Sequence, residues 1–515
     1  MKKWTLRFIL ILFIFLCSPQ SYGQEKILNF GELYDSSMDL YDRGRCEEAF
    51  QGFSKIVRSA PAGPLIAYSQ YMMGLCYLKM EKYEEAIQHL ELYLKNYPDG
   101  DRVREAEKGV QVARDQLKEG PPTLPPVSKT VMKESLTEEK RVKRRICAQV
   151  SHMEGKSLED VEKRVRGLKN AGVNTIIFRV FQNKGDRAYQ FITARYPEGV
   201  YFKTEFAPVV DDILGKVAEI VHRNGLEIFA WMTTRYANYG SGGPPEYRCK
   251  SYNFETKKME VARGFNLFHP EVLKRLEGLF RDLGRYPIDG ILFQDDLILK
   301  HQEDFSAEAN KAFLKEYEYL PHPDLFYIDP YKSGSGKYYV KAYTDRFWTW
   351  ANWKNRWLMN VAKRLMGAAK ESNPNLQFAI NLYFEAVLSD LNGVVWFSQT
   401  LSEALKNNFD YYAVMAYHRQ AMKDRNIEVK EAIGLMAEVA RKAVEAVGDP
   451  SKVMMKVWIL DWKSNEAVGY ELAPQKEIEE ILKAILDRGD VSLAFVPYLD
   501  QFPLHSLKGK WVPSK

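Results

Sequence analysis

From Ile146 to Tyr498 the chain alternates short apolar runs with longer stretches of helical periodicity, and this alternation restricts the fold more than any other feature. The apolar runs are 146–150, 174–181, 226–233, 288–295, 377–383, 410–417, 453–460 and 491–498. Such brief, predominantly apolar runs read as strands buried on both faces of a parallel sheet. Between most of them lie helical patterns at 158–170, 210–224, 270–283, 345–370, 394–407, 427–447 and 475–487. Eight strands with helical crossovers over residues 145–515 predict an α/β fold, a (β/α)8 TIM-type barrel with long rim loops. An open doubly wound sheet is the other candidate. It would carry G-x-G-x-x-G after its first strand, and Ser151-His-Met-Glu-Gly155 lacks that pattern.

The region before the barrel is organised differently. Lys2, Lys3 and Arg7 precede an apolar run at 8–16 and the small residues of Ser21-Tyr-Gly23, which predicts a signal peptide over 1–23. The expectation is an exported protein, periplasmic or outer-membrane-associated. The apolar run is short for a bilayer span, and bulky Leu16 before Cys17 argues against a lipid anchor. Residues 44–50 and 81–87 are near copies, and Ala49 with Ala86, like Pro61 with Pro98, stand 37 residues apart. Gly74, Tyr77, Ala86 and Pro98 occupy tetratricopeptide offsets, so 30–117 is predicted as a small all-α tetratricopeptide-like domain that docks a protein partner. A plain helical spacer is the alternative. Residues 118–144 read as a proline-rich and basic linker, with the charges of 140–145 solvated on the approach to the barrel.

A formal charge of +5 over 515 residues, spread along the chain, gives no support to nucleic acid as a partner. Cys46, Cys76, Cys147 and Cys249 show no metal-ligand spacing and are expected as free core thiols. There is no H-E-x-x-H, no G-x-S-x-G elbow and no P-loop, so neither metal nor cofactor is predicted.

In a barrel of this kind chemistry sits at the C-terminal strand ends. Those ends carry Arg179, Trp231, Gln294-Asp295-Asp296, Asn381, Tyr383, Glu385, Tyr417-His418, Trp458, Asp461, Trp462, Tyr498 and Asp500. Carboxylates and aromatic rings converging on one rim suit a carbohydrate cleft, where acids act on a glycosidic bond and rings stack on sugar faces. Asp295, Asp296 and Glu385 are the predicted catalytic residues; Arg179, Trp231, Asn381, Tyr383, Tyr417, Trp458, Asp461, Trp462, Tyr498 and Asp500 are predicted to bind substrate. Lys456, inside an apolar strand, needs a carboxylate partner once buried, as in a structural ion pair.

The segments 228–232, 289–296, 381–383, 396–399, 410–415, 461–462 and 497–498, in this order, resemble the C-terminal glycoside hydrolase domain of the PgaB family of poly-β-1,6-N-acetyl-D-glucosamine deacetylase/hydrolases of biofilm export systems. The resemblance implies an endo-acting hydrolase of partially deacetylated poly-β-1,6-N-acetyl-D-glucosamine, or a non-catalytic binder of that polymer; a hydrolase of another envelope glycan is the further alternative, since barrels with acidic rims serve many sugars. Gln294 stands where the family commonly has histidine. Repeats stand where the family has its metal-dependent deacetylase, so N-deacetylation is not expected here. A groove lined by Asp295, Asp296, Glu385, Asp461 and Asp500 would attract the ammonium groups of deacetylated sugars.

Overall fold

The structure, a computed structural model, describes residues 30–59, 64–98, 100, 102–119, 143–186, 189–239, 243–333, 338–461, 471–498, 504–507 and 509. The leader with Cys17, residues 120–142 of the linker, Trp462 and Asp500 lie outside the described residues. The chain divides into two units, Met1–Pro121 and Pro122–Lys515.

The first unit holds helices α1 (Phe30–Asp42), α2 (Cys46–Ser59), α3 (Pro64–Lys79), α4 (Tyr83–Asn96) and α5 (Val103–Glu119), each packed on the next. Ala49, Phe53, Cys76, Ala86 and Leu90 are fully buried between them. The repeat alanines and Gly74 allow this close packing. A Cβ on Gly74 would stand 2.6 Å from Leu90 Cδ2, a distance that would push α3 from α4.

In the second unit the eight strands are β1 (Ile146–Val150), β2 (Thr175–Arg179), β3 (Glu227–Met232), β4 (Gly290–Phe293), β5 (Gln377–Tyr383), β6 (Tyr411–Ala416), β7 (Val453–Trp458) and β8 (Ser492–Val496). They close into a barrel in sequential order, every pair parallel and β8 returning to β1. Inward side chains such as Cys147, Ile177, Phe229, Leu292, Ala379, Met415, Met454 and Ala494 fill the interior, while the outward set packs on the surrounding helices. Gly290 admits no side chain: a Cβ there would lie 2.5 Å from Phe229 Cζ and 2.7 Å from the Gln377 carbonyl.

Three features depart from the sequence reading. The helix expected over 394–407 is two short helices, Asp390–Phe397 and Leu401–Leu405. Ser398 between them turns left-handed at φ 47° and donates to the Leu299 carbonyl (2.8 Å), while the Thr400 hydroxyl caps the second helix by accepting from Glu403 N (3.1 Å). The long rim loops after β3 and β4 contain antiparallel hairpins, 248–253 with 258–265 and 327–332 with 338–343. Finally, the basic run does not end in solvent. Arg145 is 1% exposed and closes the N-terminal mouth of the barrel. Its guanidinium lies 4.5 Å from the centre of the Phe229 ring and bonds Thr175 Oγ1 at 2.8 Å, with Glu227 as its counter-ion.

Candidate active site

Strand β4 ends at Phe293, so Asp295 and Asp296 leave the pleat and need not point to opposite faces. Their environments differ sharply. Asp296 is 3% exposed. Its two oxygens accept from the hydroxyls of Thr233 (2.5 Å) and Thr234 (2.8 Å) and from the backbone amides of Thr234 (3.0 Å) and Tyr236 (2.8 Å). This carboxylate ties the loop after β3 to the loop after β4. Asp295 is half-buried and faces Lys456. Burial pushes its carboxyl upward, the Lys456 ammonium opposes that shift, and the Asp296 charge adds to it.

Lys456 alternates with Met454 and Trp458 on the inner face of β7 and is 2% exposed. Its ammonium donates to Asn381 Oδ1 (2.7 Å), and Asn381 Nδ2 donates to the Phe293 carbonyl (2.8 Å). A direct chain therefore runs from β7 through β5 to the end of β4. Burial lowers Lys456 to about 8, with Asp295 acting against the shift. Gln399 secures β5 from outside, donating to the Asn381 carbonyl (2.8 Å) and accepting from Tyr383 N (3.2 Å).

Tyr383 joins the two halves of the site. Its ring lies flat on Phe397, centroids 3.9 Å apart and planes 5° from parallel. Burial raises its phenol, and the fields of Asp295, Asp296 and Glu385 all push in the same direction. Glu385 begins the one-turn helix Glu385–Leu388 just beyond β5. Its Oε2 is buried without a hydrogen-bond partner. Burial drives the carboxyl to about 7, against the pull of its own backbone amide and of Arg425. A glutamic acid of this kind still holds its proton near neutrality and can give it away.

The aromatic residues fall into two groups. Tyr417 and Trp458 pack at 5.0 Å, and burial raises the Tyr417 phenol well above its ordinary value, with Asp295 adding to the shift. Trp231 stands on β3, with Phe181 edge-on at 5.8 Å and the Arg179 guanidinium 5.8 Å from its centre. Arg179 is engaged by Asp186. Asp461 likewise pairs with Arg419 at 2.6 Å, within a cluster where Arg419 and buried His418 hold Glu477 at about 2 despite its burial. Tyr498 packs on the barrel core, and its amide donates to the Gln149 carbonyl (2.8 Å).

Of the residues predicted from sequence, Asp295, Glu385, Asn381, Tyr383, Tyr417 and Trp458 thus surround one another's fields or rings. Asp296, Arg179 and Asp461 are turned to partners within the protein. Lys456, expected to take a carboxylate partner, instead bonds the Asn381 amide oxygen and stands in the field of Asp295; the member that escaped the sequence reading is Phe397, whose stacking on Tyr383 depends on a helix break that periodicity hides. Among the described residues no group of three His, Cys, Asp or Glu side chains is placed to hold a metal ion.

Residues 68–100 match a tetratricopeptide repeat family. The poly-β-1,6-N-acetyl-D-glucosamine N-deacetylases of Escherichia coli K12 and O157:H7 are each 29% identical to this chain over 231 residues, covering 42% of it and 30% of their own length. The chain thus spans about a third of those relatives. The PgaB (BpsB) glycoside hydrolase domain of Bordetella bronchiseptica superposes with a TM-score of 0.55 at 18% identity, covering 72% of this chain and all of that domain, and so shares its fold. Residues 156–496, nearly the whole barrel, match hypothetical glycosyl hydrolase family 13, and the chain belongs to that family of glycoside hydrolases.

Proposed function

We propose that the barrel cleaves partially deacetylated poly-β-1,6-N-acetyl-D-glucosamine within the chain, by carboxylate acid/base chemistry at Glu385 and Asp295. The observation that carries this reading is the Glu385 carboxyl, whose Oε2 is buried without a hydrogen-bond partner, so that burial drives it up to about 7. Glu385 donates it to the glycosidic oxygen as the bond to the anomeric carbon breaks. Asp295 supplies the second carboxylate, on the side of the anomeric carbon, and Lys456 favours its ionised form. Asp296 positions its neighbour Asp295 by tying the loop after β4 to the loop after β3. The substrate class is supported by the polymer named for the Escherichia coli relatives and by acidic groups that attract glucosamine ammonium charges. N-deacetylation is not carried over from those relatives.

The basic and apolar leader supports export to the periplasm or outer membrane, and the repeats suit a protein partner there. Incubating the intact protein with partially deacetylated polymer should yield shortened oligosaccharides by mass spectrometry. The anomer released first, read by NMR, separates direct attack by Asp295 (retention) from attack by an activated water (inversion). Binding without any cleavage would instead make the barrel a polysaccharide-holding scaffold.

A further inference from the structure

The hairpin of 327–332 and 338–343 rises from the long loop after β4. Its register pairs Tyr331 with Tyr339 and Tyr327 with Tyr343, and the pleat sets these four residues on one face. The base of that face belongs to the surroundings of the active site. The Tyr343 hydroxyl is 2.9 Å from His301 Nδ1, and the Tyr327 hydroxyl donates to the His301 carbonyl at 2.7 Å. The His301 ring meets Trp396 at 5.4 Å, and the next residue, Phe397, lies on Tyr383. An aromatic line therefore leads from Tyr383 to the foot of the hairpin.

At its outer end Tyr331 and Tyr339 are 53% and 38% exposed, their rings 6.0 Å apart and 28° from parallel. The hairpin is braced by its neighbour: Phe254 meets Tyr327 at 4.9 Å and Tyr338 at 6.4 Å, and Lys332 pairs with Glu255 at 2.6 Å. Bracing fixes the exposed pair in place, and two adjacent rings with apolar faces and wet hydroxyl edges match the alternating C–H and O–H surface of a pyranose. From Tyr343 to Tyr339 the strand climbs about 13 Å, more than one sugar ring from the floor of the cleft.

We propose that Tyr331 and Tyr339 form a secondary stacking platform that holds the polysaccharide beyond the cleavage site. This rests on the polymer reading given above, since only a chain longer than the cleft can reach both places. The test uses the intact protein with Y331A/Y339A and Y331F/Y339F double substitutions. Three quantities are measured: affinity for partially deacetylated poly-β-1,6-N-acetylglucosamine, its rate of cleavage, and turnover of a short oligosaccharide of the same linkage. The alanine pair should weaken polymer affinity by about 10-fold and slow polymer cleavage, with short-substrate turnover unchanged. The phenylalanine pair, which keeps both ring faces, should behave as wild type. Unchanged polymer affinity in the alanine pair, with wild type binding and cutting, overturns the platform alone and leaves the face to a protein partner. A wild-type protein that neither binds nor cuts the polymer overturns the substrate reading, and the platform with it.

Discussion

At the scale of single residues, two adjacent aspartates should fail in opposite ways. Asp295→Asn should leave melting unchanged and lower the cleavage rate about 100-fold or more, because an amide can neither attack nor accept a proton. Asp296→Asn places an NH2 group among amide and hydroxyl donors, and should destabilise the barrel by about 1–3 kcal/mol in denaturant titration. Glu385→Gln should also abolish cleavage, and it carries a pH signature. The acid works only while protonated, so wild-type activity should fall as pH rises through about 7. The same raised value means that the folded state binds this proton more tightly than the unfolded chain, so ionising it costs stability above the ordinary glutamate range. Glu385→Gln should therefore raise the melting temperature at pH 8 and leave it unchanged at pH 4. Lys456→Met removes the cation that opposes the upward shift of Asp295, so the acidic limb of the pH–rate profile should move to higher pH. An unmoved limb would separate Lys456 from Asp295.

At the scale of elements, β4 delivers the site and depends on a residue without a side chain. Gly290→Ala would drive a methyl into Phe229 and the Gln377 carbonyl, and thermal or chemical denaturation should show a loss of about 1–3 kcal/mol. The barrel strands were legible because burial on both faces makes each a predominantly apolar run, and 146–150 and 377–383 coincide with β1 and β5. The helices 158–170 and 345–370 were equally plain, since Ser157 and Thr344 cap amphipathic stretches. The hairpins were not. Their strands are half-exposed to exposed, and 258–265 and 327–332 carry charges and a proline that read as loop. Side-chain allegiance was hidden for a related reason. Nothing local distinguishes Asp295 from Asp296, because the donors that claim Asp296 come from the loop after β3, some sixty residues earlier. The guanidinium of Arg145 finds its place among β2, β3 and β5, whose positions only the closed barrel defines.

At the scale of the whole molecule, the repeats and the barrel each possess a hydrophobic core. A fragment beginning at Glu138 should therefore melt cooperatively and keep its glycan affinity, as differential scanning calorimetry and affinity electrophoresis would show. Aggregation of that fragment beside a soluble intact chain would make the repeats part of the barrel's own stability. The four buried thiols are distributed two to each unit, Cys46 and Cys76 among the helices, Cys147 inside the barrel and Cys249 on the first rim hairpin. Burial raises Cys76 and Cys147 to about 12, so each is a poor nucleophile while its surroundings stay packed. The chain thus carries its own unfolding clock: in a maleimide pulse followed by peptide mapping, the moment each cysteine becomes alkylated dates the opening of its neighbourhood, and the order of the four dates tells which part of the molecule lets go first.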